Sequence, residues 1–450
     1  MAKQNDLLLA FYGDDFTGST DALEFLSNAG AKTVLFMKPP GEEQLARYPG
    51  LQAIGVAGTS RSMSPENMEK ELRPAFTALR ALGIPHIHYK VCSTFDAAPH
   101  TGSIGKAIDI GAELFPAAFV PVLGGAPALG RYCVFGNLFA RMGIGSSGAI
   151  YRLDRHPSMS RHPVTPSDES DLRLHLSRQT KKRMGLLDIL SLADATGAKK
   201  IVQAITGEGA EVVLMDALYE EQMTVIGELI DGYTGKGHSL FSVGSSGIEM
   251  ALGAWWIKQG RLGGAPNWAR PGKASSLLVV SGSRSPVTAG QVARAVSQGF
   301  KEIQLDTKSI AVNGGTAGLR EKYVASAIAL LQQGDSVIIH TGADSDEQAK
   351  GIKDRMQAAT AEVFGTMLGL IVREVAAQVA LKRVVIAGGD TSSYAARALG
   401  IEAVEMIAPL WPGAPLCRAY APGSPADGIE INLKGGQVGS EDYFERAREI

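Results

Sequence analysis

Short continuous apolar runs alternate along the chain with stretches whose apolar residues recur at helical spacing. In the first half, residues 7–12, 31–37, 51–57, the start of 84–94, 119–125, 212–217 and 239–242 read as strands. In the second half, residues 276–280, 301–306, 336–340 and 383–387 repeat the pattern. Continuous rather than alternating apolar runs suit strands covered on both faces, which predicts mostly parallel sheets with helices between the strands. Helix signals fall where that scheme needs them. Thr17 or Ser19 is placed to cap a helix after the first strand, and Gly30 to end it. Ser64 with Pro65 opens a second helix, and Ser167 or Asp168 caps one near Glu169. Residues 244–247 open a helix over 248–259, and Pro286 opens another.

The stretch 259–275 is rich in glycine and carries prolines, as a linker would be. A chain of 450 residues also exceeds one ordinary core. The expected fold is α/β: two Rossmann-like three-layer domains with mostly parallel sheets, spanning 1–262 and 275–450, with a cleft between them. A formal net charge of −2 gives no basic field for nucleic acid. The three cysteines, Cys92, Cys133 and Cys417, are too scattered for a disulfide framework or a Cys-based zinc site and suit a reducing compartment. No apolar run suits a bilayer span, and the N-terminal apolar stretch is too short for a signal peptide. The expectation is a cytoplasmic protein without nucleic-acid or membrane partners.

Candidate chemistry gathers where strands end, because ligands of open α/β sheets bind at the carboxyl ends of strands. Asp14 and Asp15 follow the first strand. Adjacent carboxylates repel unless a cation or hydroxyl donor answers them, so the pair is either a helix-capping turn or a site for polyol hydroxyls with one general base. Arg61 follows the third strand and could fork onto an anion. Lys90, Ser93 and Thr94 follow the fourth, offering a cation and two hydroxyls. His86 and His88 share a strand face with no acidic or thiol ligand at metal spacing, and read as ordinary strand histidines. Residues 143–148 fit GxGxxG literally, yet no strand precedes and no helix follows, so they read as a loop. Residues 152–183 read as a long polar surface loop that could reach the cleft or an oligomer contact.

In the second half three strands end in small polar turns at helix starts: 281–285, 341–346 and 388–393. Backbone N–H groups, small hydroxyls and close-approach glycines suit phosphate. No GxxxxGK[ST] is present, which excludes a P-loop. Lys434, beside Gly435 and Gly436, could serve phosphate or be an ordinary surface lysine.

These pieces, in order over nearly the whole chain, resemble the four-carbon acid sugar kinase family. Gly13-Asp14-Asp15-Phe16-Thr17-Gly18 is similar to the family's Ala-Asp-Asp-Leu-Thr-Gly, and Lys90-Val91-Cys92-Ser93-Thr94 to its Lys-x-Asp-Ser-Thr. Gly130-Arg131 resembles its Gly-Arg segment, residues 166–172 its Glu-Ser-Asp-Leu segment, and residues 244–247 its Gly-Gly-Ser-Gly turn. Ser281-Gly282-Ser283 with Ser285-Pro286-Val287-Thr288 is close to Ser-Gly-Ser-x-Ser-Pro-Val-Thr. Gly388-Gly389-Asp390-Thr391-Ser392 resembles Gly-Gly-Glu-Thr-Ser, and Pro412-Gly413 and Lys434-Gly435-Gly436 its closing motifs.

The resemblance implies an N-terminal acid-sugar domain, a C-terminal ATP domain and transfer of the γ-phosphate to a terminal hydroxyl. The implied substrate is a four-carbon acid such as threonate, erythronate or oxo-tetronate, or a branched relative such as oxo-isoapionate. Asp15 and then Asp14 are the expected catalytic residues, with Arg61, Lys90, Ser93, Thr94 and Arg131 on the sugar acid. Ser281, Gly282, Ser283, Gly388, Gly389, Asp390, Thr391, Gly413, Lys434, Gly435 and Gly436 are expected on ATP. Mg²⁺ is expected on the ATP phosphates with no protein-only metal cage, and the expected partners are the acid sugar, ATP or ADP and, for an oligomer, a homodimer. Cys92 stands where the family carries Asp, with Asp96 nearby as a replacement carboxylate; Gly124, Gly125, Asp390 and Gly435 also depart. A catalytically weak binding protein of the same fold is the alternative.

Overall fold

The computed structural model describes residues 7–143, 147–162, 164–235, 237–283, 285–313, 317–342 and 353–450. Parts of the 143–148 loop and the 341–346 turn, together with Arg284 and the side chain of Asp390, lie outside the described residues. The chain divides into two compact units, Met1–Pro266 and Asn267–Ile450.

The first unit contains β1 (Leu9–Gly13), β2 (Thr33–Phe36), β3 (Ala53–Ala57), β4 (His86–Lys90), β5 (Val120–Leu123), β6 (Arg131–Val134), β7 (Asn137–Arg141), β8 (Ile150–Arg152), β9 (Met184–Leu187), β10 (Val212–Met215) and β11 (Leu240–Gly244). A parallel sheet runs in the order β2-β3-β1-β4-β11-β5-β10-β9. Every residue of β1, β3, β4 and β11 is buried, which is why β1 and β3 read as unbroken apolar runs. Helix Phe16–Asn28 packs on helix Gly247–Lys258, which packs on Glu220–Asp231; Pro65–Ala81 packs on Ile104–Leu114. The register levels the strand ends: Gly13 lies opposite Ala57 and Lys90, and Lys90 opposite Gly244.

Strands β6, β7 and β8 form a separate antiparallel ribbon that the sequence pattern does not announce. Two caps also differ from expectation. Helix Phe16–Asn28 is capped by Asp15 rather than Thr17 or Ser19, because the Asp15 carboxylate accepts from Gly18 N at 2.6 Å. The helix near Glu169 starts later, at Leu172, capped by Asp171 rather than Ser167 or Asp168. Ser64 caps Pro65–Ala81 as expected, and Gly30 follows the first helix with φ +91°.

The second unit contains β12 (Leu278–Ser281), β13 (Lys301–Gln304), β14 (Val337–His340), β15 (Arg383–Ala387), β16 (Ala403–Trp411), β17 (Ala414–Tyr420) and β18 (Glu430–Lys434). Its order is β13-β14-β12-β15-β18-β17-β16, parallel from β13 to β18 and antiparallel through β17 and β16. The strand ends are again level: Gln304, His340, Ser281, Ala387 and Lys434 are register partners in turn. Val279, Ile338, Val385, Phe300 and Tyr443 belong to one core cluster. Fully buried Arg383 ties the C-terminal helix Tyr443–Glu449 to this sheet, donating to Glu430 at 2.6 and 2.8 Å and to the Ala447 carbonyl at 2.6 Å. Among the described residues no helix is long and apolar enough to cross a membrane.

Candidate functional site

In the first unit the chain leaves β1 toward β2 and β3 on one side, then crosses to β4 on the other, so β1 is a topological switch point. That reversal opens a crevice at the carboxyl end of β1. Three chain ends deliver charge to it: Asp14 and Asp15 after β1, Arg61 after β3, and Lys90 at the end of β4. Backbone bonds lock them together, Asp14 N to Lys90 O at 2.9 Å and Arg61 N to Asp14 O at 3.1 Å.

Arg61 clamps both acids. Its Nε and Nη2 donate to the two Asp14 carboxylate oxygens at 3.3 and 3.2 Å, and its Nη1 meets Asp15 Oδ2 at 2.5 Å. Thr17 Oγ1 also donates to Asp15 Oδ2 at 3.1 Å, so both Asp15 oxygens are engaged. Burial opposes the Arg61 charge, but Asp14, Asp15 and Asp96 more than offset it and hold the guanidinium firmly protonated. Asp14 differs from its neighbour. Burial pushes its proton affinity up, with the Asp15 charge adding to the rise, and Arg61 and Lys90 offset only part of it.

A second layer lies alongside. Lys90 is buried and pairs with Asp21 at 3.2 Å; burial opposes its charge, and Asp21 and Asp14 restore it. Ser246 Oγ also donates to Asp21 Oδ2. Gly18 leaves room for this: a Cβ there would lie 2.6 Å from Asp15 Oδ1 and 3.1 Å from Lys90 Nζ. After β4, Cys92 Sγ lies 3.0 Å from Thr94 Oγ1, and burial holds its thiol protonated, up at about 11. Phe95 takes φ +51°, an uncommon conformation for a bulky residue, in the turn that presents Asp96. Ser93 and Thr94 are buried in the same turn.

Arg131 is buried too, its Nη1 spent on the carbonyls of Leu129, Gly130 and Arg141; burial depresses its proton affinity, and Asp96 and Asp21 partly offset this. Three buried polar atoms here have no hydrogen-bond partner: Asp21 Oδ1, Asp96 Oδ1 and Arg131 Nε. Asp21 is the residue sequence reasoning passed over. Its signal was an acid four positions after Thr17, on one face of the first helix.

The strand histidines are structural. His88 Nδ1 lies 2.6 Å from Glu249 in the fully buried interior, and His86 Nε2 lies 2.9 Å from Asp231. Among the described residues no group of three or more His, Cys, Asp or Glu side chains could hold a metal.

The second unit brings glycines and hydroxyls together at the level ends of β12, β15 and β18. A Cβ on Gly282 would meet Thr391 Oγ1 at 2.3 Å, and one on Gly436 would meet Ser283 Oγ at 2.5 Å. Gly388 caps helix Gly389–Ala398 with φ +126°, donates its N–H to Lys434 O at 2.9 Å, and faces Ser283 N and Thr391. Ser283 Oγ accepts from Ser285 N at 3.2 Å, and Ser285 caps helix Pro286–Ser297. Thr288 Oγ1, in that helix's first turn, donates to Gly436 O at 2.8 Å. Residues 281–283, 388–391 and 435–436 are therefore one surface, with two helix N-termini opening on it. Gly413 sits in the β16–β17 turn, whose register with β18 carries it to the Lys434 end. Lys434 itself is fully buried, so the surface-lysine expectation is corrected: its Nζ is folded inward onto Thr288.

Comparison with known proteins accounts for both halves. A family model described as a sugar-binding N-terminal domain matches residues 9–252, and one described as a nucleotide-binding C-terminal domain matches residues 278–444. The chain is 44% identical over 450 residues to a protein of Paraburkholderia graminis named 3-oxo-isoapionate kinase, covering 98% of this chain and 94% of that one. It is 30% identical to a 3-oxo-tetronate kinase of Methylobacterium radiotolerans, with 99% of each chain covered. A solved structure from Salmonella typhimurium LT2 shares the fold, with a TM-score of 0.75, 24% identity and 98% of each chain covered. The chain belongs to the four-carbon acid sugar kinase family and is a kinase of small acid sugars.

Proposed function

We propose that this kinase uses ATP to phosphorylate a terminal hydroxyl of a branched or oxo acid sugar of the 3-oxo-isoapionate type, with the sugar acid on the first unit and ATP on the second. The observation that carries the reading is the Asp14–Asp15 pair clamped by one guanidinium at the β1 switch point. Phosphoryl transfer is mainly positioning and charge stabilisation, with a carboxylate accepting or orienting the hydroxyl proton. Asp14 is the better acceptor of the two. Its oxygens are held only by the longer Arg61 contacts and burial raises its proton affinity, whereas Asp15 is spent on the helix cap, Thr17 and Arg61. This reverses the order expected from sequence, which put Asp15 first.

Arg61 remains 30% exposed at its side chain and keeps donor capacity for the substrate carboxylate. Lys90 holds Asp21 in place. Asp21, Asp96 and Arg131 each keep an unpartnered buried polar atom, which suits a ligand carrying several hydroxyls and a carbonyl. Ser93 and Thr94 supply hydroxyls beside them. Cys92, the departure that raised the prospect of a weakened enzyme, is a protonated thiol bonded to Thr94 and leaves the acid pair and Arg61 intact.

On the second unit, Ser281, Gly282, Ser283, Gly388, Gly389, Thr391, Gly435 and Gly436 would receive the phosphates through backbone N–H groups and hydroxyls, with the Asp390 backbone and Gly413 alongside. Magnesium bound through the nucleotide's phosphates supplies charge neutralisation there. The test is a coupled ADP-release screen across four- and five-carbon acid sugars, with the product identified by mass. The expected result is ATP-dependent phosphorylation of an oxo or branched acid; ADP release independent of any acid sugar would defeat the reading.

A further inference from the structure

Among the described residues, one buried charge in the second unit has no acid to answer it. Lys434 ends β18 with no exposed surface. Its Nζ donates to Thr288 Oγ1 at 3.2 Å and lies 5.4 Å from the centre of the Tyr443 ring. No described carboxylate pairs with it. From its own strand come Asn432 and Glu430, the latter bound to Arg383. From the C-terminal helix come Tyr443, Glu445, whose Oε1 binds Arg294 while its Oε2 is buried without a hydrogen-bond partner, and Glu449, bound to Lys273 and Arg448. Helix Pro286–Ser297 offers Thr288 and Arg294, and β15 and β17 offer Arg383 and Arg418, all without a free acid.

The position is unfavourable for a cation on two counts. Burial strips its hydration and pushes Lys434 down to about 7. Thr288 also lies in the first turn of a helix, the positive end of its dipole. Both penalties would be relieved by an anion at that same helix end. The lysine is wired to the turns that would hold one. Its carbonyl accepts from Gly388 N at 2.9 Å, and the Thr288 hydroxyl it grips donates to Gly436 O at 2.8 Å.

We propose that Lys434 is the charge-compensating residue of the nucleotide turns, taking a proton from solvent onto Nζ when phosphate binds at the 281–283, 388–391 and 435–436 surface. It makes no contact with phosphate and acts through its charge and through Thr288. The inference rests on the reading of this unit as the ATP-binding half, and adds that nucleotide binding is coupled to proton uptake. The sign follows from linkage: an anion raises the proton affinity of Lys434, so nucleotide affinity is greatest below about pH 7, where the free lysine is already charged, and weakens as pH rises above it.

The test is calorimetric titration of the full chain with a non-hydrolysable ATP analogue and Mg²⁺ near pH 8, in two buffers of different ionisation heat. At that pH nucleotide phosphates are already ionised, and the expected result is uptake approaching about one proton per nucleotide. Lys434→Met should bind the analogue about tenfold more weakly and take up no proton, while its acid-sugar binding, unchanged, certifies its fold. Buffer-independent heats in the unsubstituted protein, or uptake that persists in Lys434→Met, would overturn the inference. Absence of any nucleotide heat would instead overturn the assignment of ATP to this unit, and this inference with it.

Discussion

The two units solve one topological problem with opposite chemistry. In the first, the strands run β2-β3-β1-β4, and in the second β13-β14-β12-β15, so each leaves its first strand in one direction and crosses back over it. Both level the carboxyl ends of those strands by register. At that rim the first unit places long charged side chains: Asp14, Asp15, Arg61 and Lys90, with Asp21 behind them. The second places glycines and hydroxyls that bare the backbone, with one inward-turned lysine. A small sugar acid offers a carboxylate and hydroxyls in fixed geometry, which side-chain forks can read. A polyphosphate offers charge to be cradled, which helix N-termini and close-approach glycines supply. On the proposed assignment, one strand arrangement would host substrate in one unit and nucleotide in the other through what stands at the strand ends.

The comparison can be broken first at Asp14. Asp14→Asn keeps the shape and removes the proton acceptor, and should lower kcat by about 10²- to 10⁴-fold with little change in the KM for ATP. Steady-state kinetics on the best acid sugar check this; a kcat within a few-fold of normal would make the pair structural. The second break is at the strand ends of the second unit. Gly282→Val drives a side chain into Thr391 and should raise the KM for ATP by roughly tenfold or more, while the KM for acid sugar stays put.

The third prediction sharpens the contrast through pH. A base must be deprotonated to work, so kcat/KM should fall as pH drops through the Asp14 value, which burial raises. Asp15→Asn removes a charge that raises Asp14, and should move that acid limb to lower pH. A limb that stays in place would assign it to another group. The smallest effect is on the ligand-free protein. Lys434 binds its proton less tightly folded, at about 7, than unfolded, near 10.5, so the unfolded state binds more protons between those values. Its penalty is full below about pH 7 and fades as pH rises toward 10.5. Lys434→Met should therefore raise Tm by a few degrees near neutrality and progressively less in alkali, as thermal unfolding at several pH values would record.

What was legible in the sequence follows from what is local. The buried parallel strands announced themselves because cover on both faces makes a continuous apolar run. The β6–β8 ribbon did not, since its strands are short, β6 and β7 are half-buried and β8 is largely exposed. A strand end before Pro412 was legible, but the antiparallel pairing of β16 with β17 was not, in a stretch that carries Pro409, Pro412 and Pro415. The acids after β1 were visible as a motif. Their division of labour was not, because Asp15 as a cap and Asp14 as the acid with raised proton affinity depend on Arg61, 46 or 47 positions away. Asp21 read as an ordinary helix charge, and Lys434 as either a phosphate contact or a surface lysine. Their burial is a tertiary fact, set by Ser246 and Lys90 for one and by Thr288 and Tyr443 for the other.

The most direct test of the central claim is crossed calorimetry on three proteins: the unsubstituted chain, Arg61→Ala and Gly282→Val, each titrated separately with acid sugar and with a non-hydrolysable ATP analogue. Arg61→Ala should lose acid-sugar affinity and keep the nucleotide, and Gly282→Val should do the reverse. A single variant that abolished both ligands while remaining folded, or neither variant affecting its own ligand, would contradict the division of the two chemistries between the two units.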